Sequence, residues 1–209
     1  MAHMADLRDK RLLAVFAHPD DESFCCGGSL KLVADAGAEV HLLCATRGED
    51  GQWHGNPIDH KDIIREQRLA QVRVEELKTA AEILGIEKVE YMGFIDGILN
   101  NRDLPRMISK IERKIKAFKP QVVLSFGQDG VSGHIDHIVM AIAVEEAVQN
   151  SKNVERLYSC IVSPELIKKM RKEGRGMPEP IIEGKRVVGY DISTVWEIKK
   201  ESVMAHATQ

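Results

Sequence analysis

Two short stretches of this sequence crowd together side chains that can bind a metal and move protons. The first, "AHPDDE", runs from Ala17 to Glu22, and the second, "GHIDH", from Gly133 to His137. Imidazole nitrogen and carboxylate oxygen are the donors that zinc accepts when thiolate is not used. His18 and Asp21 are separated by two residues around the rigid Pro19, so both can turn toward one point. His134 and His137, at i, i+3 spacing at the mouth of a helix, share one side of it. The two stretches thus offer His18, Asp21 and one or both of His134 and His137. Three protein ligands with a fourth position left to water is the pattern of a catalytic zinc site. Each stretch also has a plainer reading. Asp20, Asp21 and Glu22 could complement a helix dipole, at about 0.3–1 kcal/mol each, and an HxxH at a helix start is commonly incidental. Capping alone does not explain why both occur directly after the two strands expected to be neighbours.

Positioning those groups falls to an alternation of strands and helices. Apolar runs at Arg11–Ala17, Glu39–Ala45, Lys88–Gly93 and Gln121–Gly127 read as buried strands, with "RLYSCIVS" and "KRVVGYDI" as later ones. Helical spacing covers Ser23–Ala36, Asp62–Leu84, Leu104–Phe118, Asp136–Gln149, Pro164–Lys172 and a last segment from Val195. Strands buried on both faces and separated by helices predict a three-layer α/β/α sandwich with a mostly parallel, Rossmann-like central sheet. In such sheets ligands collect beyond the carboxyl ends of the strands where the strand order reverses. A 3-2-1-4-5 order makes the first and fourth strands neighbours there, so "HPDDE" and "GQDGVSGHIDH" would face each other. A dinucleotide site is excluded, because the place of its glycine fingerprint holds Asp20, Asp21 and Glu22, which would repel phosphate.

Bulk composition narrows the partners. The chain has 209 residues, 44% hydrophobic and 29% charged, which fits one globular domain spanning 5–209, with "MAHM" reading as a cloning remnant. A formal net charge of −3 with interspersed signs offers no nucleic-acid surface, so a small-molecule substrate is expected. No apolar run approaches a membrane span and no secretory signal is evident, so the expected location is cytoplasmic, without a membrane partner. Self-association stays open. Cys25, Cys26, Cys44 and Cys160 lack a CxxC spacing and read as reduced, buried thiols.

At this point "AHPDDE", "TRGEDG", the "VRVEELKTAAEILGI" helix, "DG", "KPQVVLSFG" and "GHIDH" occur in an order that resembles the LmbE-like or PIG-L family of zinc-dependent N-deacetylases. The resemblance implies that His18, Asp21 and His137 hold one zinc ion, that Asp20 is the general base and that His134 stabilises the tetrahedral intermediate. With it comes the expectation that Asp136 holds the His134 ring in a cationic form. Arg73, Glu49 and Asp96 would hydrogen-bond sugar hydroxyls, and Trp53 and His54 could form a lid or stacking surface. His41, His60 and His206 are expected to be non-ligands. Two departures stand out: the second motif's usual proline is Ile135, and the chain ends at Gln209 where relatives commonly continue, so part of the pocket wall is expected to be missing. The leading reading is a hydrolase removing acetyl from an N-acetylglucosamine-type moiety of a small glycoside, giving acetate and a free amine. An amidase cleaving a thiol conjugate is the alternative. A non-catalytic, metal-stabilised binding protein is a third reading, against which Asp20 and His134 both argue, since a binder needs neither.

Overall fold

Leu12 to Phe16 are buried on both faces of the first strand, so the chain begins in the middle of a sheet. In a computed structural model the protein is described at residues 6–51, 62–174, 176, 178–182 and 186–209. The elements are β1 (Arg11–Phe16), α1 (Asp21–Asp35), β2 (Glu39–Cys44), α2 (Asp62–Leu84), β3 (Lys88–Tyr91), α3 (Leu104–Phe118) and β4 (Val122–Phe126). A short turn α4 (Gly130–Gly133) follows, then α5 (Ile135–Gln149), β5 (Arg156–Cys160), α6 (Pro164–Lys172) and α7 (Trp196–Ala205). The strand order is β3-β2-β1-β4-β5 and every pairing is parallel, with Leu12 beside Val40 on one side and Val122 on the other. Helices α1, α2 and α7 pack together on one face and α3 with α5 on the other, the expected three-layer sandwich.

The helices follow from local chemistry. In α3, Pro105 opens the first turn, while Met107, Ile111, Ile115 and Phe118 form one buried stripe. Lys119, in the left-handed conformation, closes that helix with its N–H on the Ile115 carbonyl. In α5 the small residues Ala141, Ala143 and Ala147 are buried, which lets that helix lie close to its neighbours. Among the described residues, no helix is long and apolar enough to cross a membrane.

One expected strand is absent. Within "KRVVGYDI" the described residues 186–192 join no sheet, and Val187, Val188 and Tyr190 are exposed. Apolar and β-branched composition makes a strand only where a neighbour supplies ladder hydrogen bonds and a surface to pack on. Trp53, His54 and His60 lie outside the described residues.

The order reverses between β1 and β4, and both strands end there on a phenylalanine. Phe16 and Phe126 meet edge to face with ring centroids 5.0 Å apart, so the two loops that follow leave from one rigid platform. Leu13, fully buried in β1, is part of that platform. Leu13→Ala is expected to lower unfolding free energy by about 2–5 kcal/mol, measured by denaturant titration of the purified protein.

Candidate metal centre and active site

His18 and Asp21 follow β1, and His137 sits in the first turns of α5. Their donor atoms converge: His18 Nδ1 lies 3.1 Å from His137 Nε2, Asp21 Oδ1 lies 3.3 Å from His137 Nε2, and Asp21 Oδ2 lies 3.6 Å from His18 Nδ1. Ligands at about 2.0–2.2 Å from a tetrahedral zinc are about 3.3–3.6 Å from one another. The separations from His137 Nε2 to His18 Nδ1 and to Asp21 Oδ1 come close to this, while Asp21 approaches His18 Nδ1 through its other oxygen.

The hydrogen bonds behind these groups aim them. His137 Nδ1 donates to the Gly130 carbonyl at 3.0 Å, leaving the Nε2 lone pair toward the shared point. Its ring is stacked on Phe126, with centroids 4.1 Å apart. His18 Nε2 faces Asp96 Oδ1 at 2.9 Å and Asp136 Oδ2 at 3.2 Å, which turns Nδ1 inward. Asp21 is steadied by the His18 N–H, which donates to Oδ2 at 2.7 Å. Carboxylate–imidazole pairs of this kind fix ring orientation and raise ligand basicity.

Two inward lone pairs need a positive charge between them. Burial opposes charge on His18, but Asp136 and Asp96 outweigh it and lift the ring to about 10, so without metal this histidine carries the cation. Burial and the neighbouring His18 charge push His137 down to about 3, leaving it neutral as the acceptor. A divalent ion can replace that proton, so the donor set fits zinc.

Asp20 stands differently. It precedes α1 at φ 120°, a conformation an L-residue rarely adopts, and its side chain makes no capping bond. Its carboxylate lines the pocket. Burial, with Asp21 and Glu22 close by, raises it to about 8. Behind it, Glu22 Oε2 accepts the Asp20 N–H at 3.1 Å and Oε1 meets His206 Nε2 at 2.8 Å. That buried pair was invisible in the sequence, because its members lie 184 residues apart.

The pocket, about 380 Å³, is lined by His18, Asp20, Asp21, Arg73, His134 and His137 together with Asp50, Asp96 and Gln209. His134 caps α5: its Nδ1 accepts the Asp136 N–H at 3.2 Å, which leaves Nε2 as the ring's N–H donor. Contrary to the expectation, the Asp136 carboxylate does not hold the His134 ring. That carboxylate instead receives the Gly97 and Leu99 N–H groups at 2.9 and 3.1 Å and faces His18. Ile135 opens α5 with its side chain exposed, at the helical position where proline is favoured because the N–H needs no intrahelical partner, so the departure from proline leaves the histidines in place.

The three groups expected to meet sugar hydroxyls part company. Arg73 is buried at the pocket, its Nη1 donating to the Gly48 carbonyl at 2.7 Å. Asp96 lines the pocket, yet its oxygens are engaged by His18 and by the Asp50 N–H at 3.0 Å. Glu49 is outside the lining, since its oxygens accept the Arg47 and Asp96 N–H groups at 3.0 and 3.3 Å and so tie two loops together. Cys26 Sγ donates to the Glu22 carbonyl at 3.5 Å, Cys25 packs against the core, and burial pushes both thiols up.

Because metal-free His18 is protonated well above neutrality, zinc binding must displace a proton. Affinity is therefore expected to rise with pH through the neutral range, and calorimetry in buffers of differing ionisation enthalpy should show proton release at pH 7. Asp136→Asn, which weakens the brace on His18, is expected to lower zinc affinity about 10–100-fold, measured by competition with a chelating dye.

Known proteins share this arrangement of sequence and fold. Over 202 residues the chain is 30% identical to a protein of Bacillus cereus named probable N-acetyl-alpha-D-glucosaminyl L-malate deacetylase 2, covering 96% of this chain and 84% of that one. Over 172 residues it is 31% identical to the mycothiol S-conjugate amidase of Streptomyces coelicolor, covering 74% of this chain and 58% of that one. The N,N'-diacetylchitobiose deacetylase structure from Pyrococcus horikoshii shares the fold, at a TM-score of 0.67 and 24% identity, covering 96% of this chain and 70% of that one. Residues 13–148 match the model of the PIG-L family, described as GlcNAc-PI de-N-acetylase, and the chain belongs to that family.

Proposed function

We propose that the protein is a zinc-dependent hydrolase that removes the acetyl group from an N-acetylglucosamine-type moiety of a small glycoside. The observation that carries this reading is Asp20. Its carboxylate, unused in helix capping, stands in the same pocket as His18, Asp21 and His137, whose donor atoms approach one another to 3.1 and 3.3 Å at His137 Nε2. The names of the family and of the Bacillus cereus relative support an acetylated amino sugar as the substrate class.

In this reading His18, Asp21 and His137 hold the metal. When bound, zinc supplies Lewis acidity and a coordinated water acidified to about neutral pH. Asp20 accepts the proton of the attacking water and passes it to the leaving nitrogen, so water and amide become acetate and a free amine. Its burial suits this work, because a group that must both take and return a proton works best near the operating pH. His134 donates its Nε2–H to the amide oxygen as charge builds there. This needs only the donor that the Asp136 N–H leaves at Nε2, not a charged ring. Arg73 offers guanidinium donors to substrate hydroxyls. An alternative cut, at the amide of a thiol conjugate, has support in the likeness to the Streptomyces coelicolor amidase.

Amine release measured across a panel separates the two. An N-acetylglucosaminide is expected to exceed both a simple N-acetyl alkylamine and an acyl-cysteine conjugate by orders of magnitude in kcat/KM, because polar groups built for hydroxyls are left unpaired by analogues lacking them. Arg73→Ala should narrow that gap. Asp20→Asn is expected to retain zinc while kcat falls about 10²- to 10⁴-fold. Faster cleavage of the conjugate would assign the amidase activity instead, and near-normal kcat in Asp20→Asn would remove the base.

A further inference from the structure

Two buried ionisable groups stand directly behind the reacting carboxylate, and the reaction described above uses neither. Glu22 and His206 have side chains with no exposure at all, and neither lines the pocket. Glu22 Oε1 faces His206 Nε2 at 2.8 Å and accepts from Ser23 Oγ at 2.6 Å. Its other oxygen, Oε2, accepts the main-chain N–H of Asp20 at 3.1 Å. His206 lies just past the end of α7, a helix that packs on α1 and α2. Ser202 of α7 comes so near α1 that a Cβ placed on Gly27 would lie 3.4 Å from its Oγ. Thr208, two residues on, is anchored on Glu76 of α2 by its N–H at 3.0 Å and its hydroxyl at 2.7 Å.

As a stabilising device this pair is a poor choice. Burying an imidazole and a carboxylate costs about as much in lost hydration as their attraction returns, and two well-packed apolar side chains commonly do as well or better. His206 Nδ1 adds to that cost, since it is buried and makes no hydrogen bond among the described residues. Apolar residues could not, however, accept the Asp20 N–H. Asp20 holds a backbone conformation at φ 120° that is strained for an L-residue and persists only where its surroundings impose it. Its carbonyl is fixed by the Ser23 and Phe24 N–H groups at 3.0 and 2.9 Å. Its N–H is fixed by Glu22. With both ends of the residue pinned, the side chain is turned away from the helix end and into the pocket.

We propose that Glu22 and His206 are a positioning pair for the general base: His206 holds Glu22, Glu22 holds the Asp20 main chain, and the Asp20 carboxylate is thereby aimed at the attacking water. The proposal rests on the hydrolase reading and adds to it a role for the residue that follows α7. Neither residue touches substrate or metal. Their effect passes through Asp20, so it belongs to turnover rather than to binding.

The test uses the full chain loaded with zinc. Glu22→Met with His206→Met replaces the pair by apolar groups and leaves no lone buried charge, so folding should survive. Thermal midpoint and zinc content are measured beside the kinetics. The double substitution is expected to lower kcat about 10- to 100-fold, the scale of a misplaced reacting group, with KM within about twofold and zinc content unchanged. His206→Gln, whose amide N–H can still reach Glu22, should recover most of the loss seen in His206→Met. In an Asp20→Asn background, the double substitution should change kcat by no more than about twofold, because groups that act as a unit are not additive. Wild-type kcat in a folded double variant, or a full further loss in the Asp20→Asn background, would overturn the proposal. No turnover by the unsubstituted protein on any amide of the panel would overturn the hydrolase reading with it, whereas turnover untouched by the double substitution overturns this proposal alone.

Discussion

His137 Nε2 lies 3.1 Å from His18 Nδ1 and 3.3 Å from Asp21 Oδ1, and lone pairs this close repel unless a positive charge lies among them. Much of the molecule around the pocket can be understood as what keeps those atoms together. Phe126, at the end of β4, is a flat floor for the His137 ring, and the Gly130 carbonyl sets that ring's tautomer. The parallel pairing of β1 with β4 brings the two loops side by side, and no local motif could do so. In the metal-free protein a proton on His18 supplies the charge, and a dication would supply it more strongly.

The braces extend one layer further out. Asp136 belongs to α5, but its oxygens face the histidine that follows β1 and collect two N–H groups from the loop after β3. Glu49 and Asp96 then join the loop after β2 to that same loop. Three crossover loops are thus cross-linked by carboxylates accepting main-chain N–H groups. Charge-assisted bonds of this kind are roughly twice as strong as neutral ones and leave little backbone freedom around the pocket.

Most of this architecture was legible in the sequence, because it rests on periodicity and punctuation. Apolar runs gave the five strands, of which β3 and β5 at the sheet edges are only partly buried, and helical spacing gave α3 its bounds at Leu104 and Phe118. The motifs' spacing brought out His18, Asp21, His134 and His137. Their partners were another matter. Adjacency along the chain points Asp136 at His134, and only the fold brings His18 within 3.2 Å of it. Glu49 and Asp96 look like exposed turn acids beside glycines, and nothing local tells that their oxygens are consumed by backbone N–H groups. Glu22 and His206 could not be paired from spacing at all. Composition misled once, at residues 186–192, where a strand-like pattern has no neighbouring strand.

The φ of 120° at Asp20 has a consequence for how this protein can drift. By backbone preference alone the position suits glycine, which enters positive φ freely and would bring no buried carboxylate. Asp20→Gly should therefore make a sturdier molecule while removing the group proposed to move the proton. Selection for thermal hardiness alone would push this site toward inactivity, and the chain carries a stability–activity trade-off concentrated in one residue.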